Sequence, residues 1–303
     1  MANLNFRERL IDPNSPDRRP RRAAYALPTL FTAGNVYLGF VAITEALQGA
    51  AVFTSGYDGA IHFVTAARAI GWAILLDGLD GRIARMTNTV SEFGKEMDSL
   101  ADCITFGLAP SVLAYAWGMQ LVRLPEEMPW LQKNLPGIGV FVAFLFLLCG
   151  ALRLARFNVQ TNPKPTNPGR PDRKYFVGMA IPAAAGVVAA IVYYLEGHPL
   201  RLWIHMCAWV ILLAVAAFLM ISTWRYPSFK EINLLRPRSP VSFVAVAAVL
   251  YVFWNFSQPA LLALAMVYMS SGIVIRLGGI IRRKLRPGPP PPAHSTEKGY
   301  SVP

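Results

Sequence analysis

Long apolar stretches recur along this 303-residue sequence and constrain its fold more than any other feature. Most of them run for about 15 to 25 residues, and an α-helix of about 20 residues crosses the hydrocarbon core of a bilayer. The composition agrees, because 54% of the residues are hydrophobic and 15% are charged, whereas about a quarter are charged in soluble domains. The sequence therefore predicts an all-α polytopic membrane protein and argues against a soluble enzyme.

The apolar stretches predict eight transmembrane helices, which we expect to form one helical bundle. Their approximate bounds are Leu27–Leu47, Ile61–Met86, Phe93–Gly118, Gly137–Phe157, Phe176–Leu195, Leu202–Trp224, Val241–Phe256 and Pro259–Leu277. This pattern divides the chain into a basic N-terminal segment over residues 1–26, a transmembrane catalytic domain over 27–286 and a tail over 287–303. We expect an interfacial helix or a frayed end near the start, and disorder in the proline-rich tail.

The distribution of basic residues predicts the orientation, because lysine and arginine near span ends remain on the cytoplasmic side. With both termini in the cytoplasm, all but four of the 29 basic residues lie on that side; the exceptions are Arg68, Arg123, Lys133 and Arg201. We therefore expect a multi-pass protein of the cell (inner) membrane. The net charge of +12 suits anionic lipid, and no aromatic-basic motif predicts a nucleic acid partner.

Four aspartates cluster at the cytoplasmic ends of the second and third predicted spans. Asp77 and Asp80 are three residues apart, and Asp98 and Asp102 are four apart, so each pair lies on one face of a helix. Four such carboxylates need a counter-charge, and no equal set of basic residues lies among them. Oxygen ligands without thiolate or imidazole select hard cations such as Mg²⁺ or Mn²⁺. A buried ion-pair network or a proton pathway is the competing interpretation.

Small residues and one arginine accompany the aspartates. Gly81 and Ala84 lie near the first pair and Gly94 precedes Asp98 by four residues, where larger side chains would fill the space that a ligand needs. Arg85 lies about two helical turns after Asp77 and is suited to an anion. This combination of carboxylates, divalent metal, small residues and an arginine predicts a diphosphate-binding site on the cytoplasmic side of the membrane.

The motif Asp77-x2-Asp80-Gly81-x2-Ala84-Arg85-x8-Gly94-x3-Asp98-x3-Asp102 resembles the signature of the CDP-alcohol phosphotransferases. Stretches at residues 27–35, 106–110, 151–158 and 178–185 are similar to the branch that uses CDP-diacylglycerol and serine. The resemblance covers about residues 27–190, and the later spans match only in hydropathy. It implies an integral membrane enzyme that transfers a phosphatidyl group to L-serine, giving phosphatidylserine and CMP.

The resemblance also implies roles for individual residues. Asp77, Asp80, Asp98 and Asp102 would hold two divalent cations, Mg²⁺ or Mn²⁺, and Asp102 would also take the proton of the attacking hydroxyl. Residues that would lie against CDP are Gly81, Ala84, Arg85 and Gly94. Apart from the resemblance, Asn35 and Thr32 are candidates for the nucleotide pocket, and hydrogen bonding between helices is the competing role for them. Direct displacement is favoured over a covalent intermediate, since no His-x-Lys or Cys/His pair is evident. A homodimer is expected by analogy with the family alone.

The site for the second substrate is predicted on the fourth span. Arg153, Arg156 and Asn158 lie at its cytoplasmic end and would bind the serine carboxylate or a lipid phosphate. Simple positive-inside anchoring is the competing explanation for the arginines. Two alternatives remain open for the function: the same chemistry with glycerol 3-phosphate, inositol, inositol phosphate or choline, or a cation- or proton-coupled transporter that uses the membrane carboxylates.

Overall fold

The computed structural model describes residues 22–87, 92–161, 175–227 and 257–285. The N-terminal segment up to residue 21, the predicted span Val241–Phe256 and the proline-rich tail lie outside these residues. The domain bounds predicted from the sequence therefore stay predictions.

The described residues are almost entirely helical, as the apolar pattern predicts. The elements are α1 (Arg22–Thr54), α2 (Ala60–Thr87), α3 (Glu92–Asp102), a π-helix (Cys103–Leu108), α4 (Ala109–Gly118), α5 (Pro129–Thr161), α6 (Ile181–Tyr194), α7 (Trp203–Ile221) and α8 (Ser257–Leu285). Two short strands, β1 (Tyr175–Val177) and β2 (Arg225–Pro227), complete the described part.

Six helical stretches within the described residues are long and apolar enough to cross a membrane. They are Leu30–Thr54, Ala60–Leu79, Phe93–Gly118, Pro129–Val159, Trp203–Ile221 and Ser257–Gly278, and α6 is a shorter apolar helix. Each corresponds to one of the predicted spans. The predicted all-α, polytopic fold is therefore confirmed, and the chain is a multi-pass membrane protein.

The predicted span Phe176–Leu195 differs from the structure at its N-terminal end. Residues 175–177 form β1, which pairs antiparallel with β2, and α6 begins only at Ile181. Gly178 turns the chain between strand and helix with a φ of +77°. A Cβ atom there would lie 2.7 Å from the Met220 carbonyl oxygen, so a side chain would be excluded as well as strained. Apolar content alone could not distinguish this strand and turn from a helix.

A π-helix interrupts the third span directly after Asp102. It runs from Cys103 to Leu108, and Thr105, Phe106 and Gly107 within it are buried. A π-helical turn holds more residues than an α-helical one, so it changes the rotation of α3 relative to α4. The aspartates of α3 and the packing face of α4 are therefore set at angles that one continuous α-helix would not give.

Aromatic side chains fill the centre of the bundle. Phe63, Phe106, Phe146 and Trp117 are fully buried. The rings of Trp117 and Trp209 meet edge to face with centroids 5.2 Å apart, and the Trp209 indole N–H donates to the Ala114 carbonyl at 3.0 Å. This core fixes α4 against α7 and gives the site helices a rigid base.

Helix α8 is the most exposed of the six apolar helices and packs against α6 and β2. Gly272 on α8 lies against the Tyr226 ring, at a position where a Cβ atom would overlap the ring. The Tyr226 hydroxyl donates to the Met269 carbonyl at 3.3 Å. In a bilayer, the exposed apolar faces of α8 are suited to contact with lipid.

Candidate functional site

Three aspartates converge between α2 and α3. A carboxylate oxygen from each of Asp77, Asp98 and Asp102 lies within 4.8 Å of the others, and all three side chains are half-buried. The spacing of four residues places Asp98 and Asp102 on one face of α3, and α2 brings Asp77 to the same point. The predicted acidic cluster is thus present for the three carboxylates whose side chains the structure describes.

The donor set of this cluster fits a hard divalent cation. All three groups offer carboxylate oxygens, the ligands that Mg²⁺ and Mn²⁺ prefer. Asp98 Oδ1 is buried and has no hydrogen-bond partner among the described residues. A buried carboxylate oxygen is costly unless a cation or a donor satisfies it. The geometry therefore supports metal binding, while the identity and number of ions stay predictions.

The remaining members of the signature lie on the same two helices. The backbone of α2 continues through Asp80, Gly81, Ala84 and Arg85, and their side chains fall outside the described part of the chain. Gly94 lies in the first turn of α3 and is exposed. Their helical placement agrees with the prediction, and the contacts predicted for them remain untested.

Helix α1 contributes two buried polar residues, Thr32 and Asn35. Asn35 is fully buried, and among the described residues neither atom of its side-chain amide has a hydrogen-bond partner. Its backbone carbonyl accepts a hydrogen bond from the Thr105 hydroxyl at 3.0 Å. Because a buried amide without partners is costly, Asn35 is a strong candidate for a ligand contact.

The predicted second-substrate residues occupy the last three turns of α5, where each has a different environment. Arg153 lies within electrostatic range of Asp102 and of Tyr268 on α8, and its buried Nε has no hydrogen-bond partner among the described residues. Arg156 donates from Nη1 to the Ile221 carbonyl at 3.2 Å. Asn158 donates from Nδ2 to the Ser99 hydroxyl at 2.9 Å. The Arg153 guanidinium on α5 therefore interacts electrostatically with the Asp102 carboxylate on α3.

Two residues near the cluster were missed by the sequence analysis. Ser99 lies between Asp98 and Asp102 in the motif, so its position could have drawn attention to it. Tyr268 lies far along the chain, and its proximity to Arg153 follows from the packing of α8, for which the sequence carries no spacing signal.

Comparison with known proteins places the chain in a family. The family model for CDP-alcohol phosphatidyltransferase matches residues 25–220. A CDP-diacylglycerol–serine O-phosphatidyltransferase of Helicobacter pylori is 39% identical over 220 residues, which cover 71% of this chain and 77% of that protein. One of Bacillus subtilis is 31% identical over 205 residues, covering 68% of this chain and 92% of that protein. An archaetidylserine synthase of Methanothermobacter thermautotrophicus is 33% identical over 204 residues, which cover 67% of this chain and 70% of that protein.

The matched segment contains the three converging aspartates, nearly all of α1 and the predicted site residues of α5. The family model matches well over half of the chain, and relatives above 30% identity extend over two thirds of it. Both comparisons point to the same family. The chain belongs to the CDP-alcohol phosphatidyltransferase family and is a membrane-embedded transferase of phospholipid biosynthesis.

Proposed function

We propose that this protein transfers the phosphatidyl group of CDP-diacylglycerol to the hydroxyl of L-serine, forming phosphatidylserine and CMP. The observation that carries the proposal is the convergence of the Asp77, Asp98 and Asp102 carboxylates within 4.8 Å. Relatives named for serine, at 39% and 31% identity, support the choice of alcohol. The name of the archaetidylserine synthase also contains serine but refers to a different lipid. The names of the relatives therefore constrain the alcohol more than the lipid.

The four aspartates of the motif, Asp77, Asp80, Asp98 and Asp102, would hold two divalent cations, Mg²⁺ or Mn²⁺. When bound, such cations supply positive charge to the phosphoryl oxygens and to the departing CMP. Gly81, Ala84 and Gly94 would leave room for the CDP diphosphate, and Arg85 would pair with it. Asn35 and Thr32 would contact the nucleotide, which fits the buried amide of Asn35.

The reaction is a direct displacement at phosphorus. The serine hydroxyl oxygen forms a bond to the phosphorus of the phosphatidyl group, and the bond from that phosphorus to the CMP oxygen breaks. CMP leaves with the bonding electron pair, and the hydroxyl proton passes to the Asp102 carboxylate. The part that Asp102 plays is therefore to orient the hydroxyl and to accept its proton.

The second substrate would bind at the end of α5. The Arg153 guanidinium would donate hydrogen bonds to the serine carboxylate or to a lipid phosphate, because its buried Nε lacks a partner among the described residues and it lies within electrostatic range of Asp102. Arg156 would assist through the N–H groups that the Ile221 carbonyl does not occupy. For Asn158, direct contact with substrate competes with its hydrogen bond to the Ser99 hydroxyl.

The site would face the cytoplasm of a protein in the cell (inner) membrane, with both termini on that side. The excess of basic residues on that face supports this orientation. Serine and CMP would then exchange with water while the acyl chains remain in lipid. A homodimer is proposed by analogy with the family, and cross-linking in native membranes would test it.

An alcohol panel tests the substrate assignment. Purified protein is incubated with CDP-diacylglycerol, Mn²⁺ and, separately, serine, glycerol 3-phosphate, inositol, inositol phosphate or choline. We expect CMP and a serine-containing lipid, identified by mass spectrometry, only with serine. A lipid product from another alcohol and none from serine would overturn the serine assignment while keeping the reaction class.

A transporter is the second functional class that membrane carboxylates permit. It predicts cation uptake into proteoliposomes without CMP release, and a polar path that reaches both faces. The described carboxylates of the motif all lie at one end of α2 and α3, which favours the transferase. Uptake without CMP release would reverse that preference.

A further inference from the structure

Helix α3 is short and largely exposed, although it carries two of the three converging carboxylates. It spans Glu92–Asp102, and its residues from Phe93 to Glu96 are exposed. Most of its backbone contacts with other elements are with α1 and the π-helix that follows it. Because these four exposed residues begin the span Phe93–Gly118, hydrophobic packing contributes little there, and a polar contact can help to fix the rotation of α3.

A hydrogen-bonded pair supplies a constraint from α5. Asn158 Nδ2 donates to Ser99 Oγ at 2.9 Å, and the Ser99 hydroxyl lies 3.0 Å from the Lys95 carbonyl. The hydroxyl has one proton and two lone pairs, so it can accept from Asn158 while it donates to Lys95. This arrangement joins two helices whose bonded residues are 59 positions apart in the chain.

The pair lies beside the carboxylates that it would constrain. Ser99 directly follows Asp98 and precedes Asp102 by three residues, so all three belong to one turn of α3. A rotation of α3 about its axis, or a shift away from α5, would break the bond and displace both carboxylates. Asn158 therefore has a defined protein partner at the point where the sequence predicted a substrate contact.

We propose that Ser99 and Asn158 are positioning residues: their hydrogen bond holds α3 in the rotation that directs Asp98 and Asp102 into the metal site. The proposal rests on the proposed function, because it assigns these carboxylates to metal binding. It separates the roles at the end of α5. Arg153 receives substrate there, and Asn158 acts through Ser99.

A double-mutant cycle tests the pair, with Mn²⁺ affinity measured by electron paramagnetic resonance on the purified full-length protein. Ser99→Ala and Asn158→Ala should each weaken Mn²⁺ binding by about tenfold, the lower end for residues that orient metal ligands. The double variant should be no weaker than the worse single variant, because both changes remove one bond. Additive losses, or unchanged Mn²⁺ affinity in both single variants, would overturn the proposal.

Kinetic constants distinguish the pair from a substrate contact. Both single variants should lower kcat and leave KM for the alcohol within about twofold. An Asn158→Ala variant that raises KM for serine tenfold, beside a Ser99→Ala variant of normal activity, would instead make Asn158 a substrate ligand. Ser99→Thr, which retains the hydroxyl, should restore most of the Mn²⁺ affinity.

A matched control and a separate readout isolate the result. Ser111 lies in the same span and donates its hydroxyl to the Gly107 carbonyl of the preceding π-helix at 2.8 Å, so Ser111→Ala should leave Mn²⁺ affinity unchanged. Failure of serine as a substrate would overturn the proposed alcohol, and the Mn²⁺ cycle would still decide the pair. A wild-type protein that binds neither Mn²⁺ nor Mg²⁺ would overturn both.

Discussion

The Thr105 hydroxyl donates a hydrogen bond to the backbone carbonyl of Asn35 at 3.0 Å and thereby joins the π-helix to α1. Both residues are fully buried. Thr105 follows Asp102 by three residues, so this bond relates α1 directly to the end of the helix that carries the carboxylates. Gly39 lies one turn after Asn35 on the same face of α1 and completes the contact.

The glycine at position 39 should be intolerant of a side chain. A Cβ atom there would lie 2.7 Å from Thr105 Oγ1 and 2.9 Å from Thr105 Cα, and the backbone atom cannot move aside by rotamer change. Gly39→Ala should therefore destabilise the protein by about 1–3 kcal/mol and lower CMP release. Thermal unfolding in detergent measures the first effect. Gly71 is the matched control, since an added Cβ there meets nothing within 4 Å, and equal destabilisation of both variants would contradict the prediction.

Replacement of Asn35 should affect stability and ligand affinity in opposite directions. Its side-chain amide is buried without a partner among the described residues, and removal of such a group is neutral or stabilising in the ligand-free protein. If the nucleotide satisfies the amide, Asn35→Leu should raise KM for CDP-diacylglycerol about tenfold while the melting temperature stays equal or rises. An unchanged KM would remove Asn35 from the nucleotide site.

The Arg153 side chain should require its guanidinium shape. Arg153→Lys keeps the charge but loses the planar fork that binds a carboxylate through two N–H groups. We expect KM for serine to rise about tenfold with a smaller change in kcat. Arg123 was predicted on the opposite face, so Arg123→Lys is the control in the same assay. Equal serine KM values in wild type and Arg153→Lys would contradict a carboxylate contact.

The stability of the β2–α8 contact should depend on pH through Tyr226. Burial, together with the neighbouring Tyr268, raises the pKa of Tyr226 from 10 to about 12. The folded protein therefore keeps this proton between pH 10 and 12 while the unfolded chain releases it. The contribution is present below pH 10 and is lost as the pH rises toward 12. Tyr226→Phe should flatten this part of the stability curve, measured by thermal unfolding, and identical curves would contradict the assignment.

Much of the fold was predictable because it depends on local length and spacing. Apolar stretches of membrane-spanning length identified the helices, and the spacing of Asp98 and Asp102 placed both on one helical face. The convergence of Asp77 with them was predictable too, since a short connection between two helices brings their adjacent ends together.

Other features depend on interactions that a local pattern does not encode. The π-helix after Asp102 is a change in backbone hydrogen bonding, and its composition resembles that of the surrounding α-helix. The bond between Ser99 and Asn158 depends on how α3 and α5 pack. For Asn158, the sequence identified a position near the site but left open whether its partner is a substrate or a serine on another helix.

The acidic residues of α3 should divide by role when each is replaced by its amide. Asp102→Asn removes the proton acceptor, so kcat should fall at least about 100-fold while nucleotide binding is largely retained. Asp98→Asn removes a predicted metal ligand, so Mn²⁺ affinity and metal-dependent CDP binding should both fall by about tenfold or more. Glu96 is an exposed acid on the same helix, and Glu96→Gln controls for the loss of one negative charge. Turnover retained by Asp102→Asn would contradict the role of Asp102 as general base, because an asparagine amide cannot accept the proton of the attacking hydroxyl.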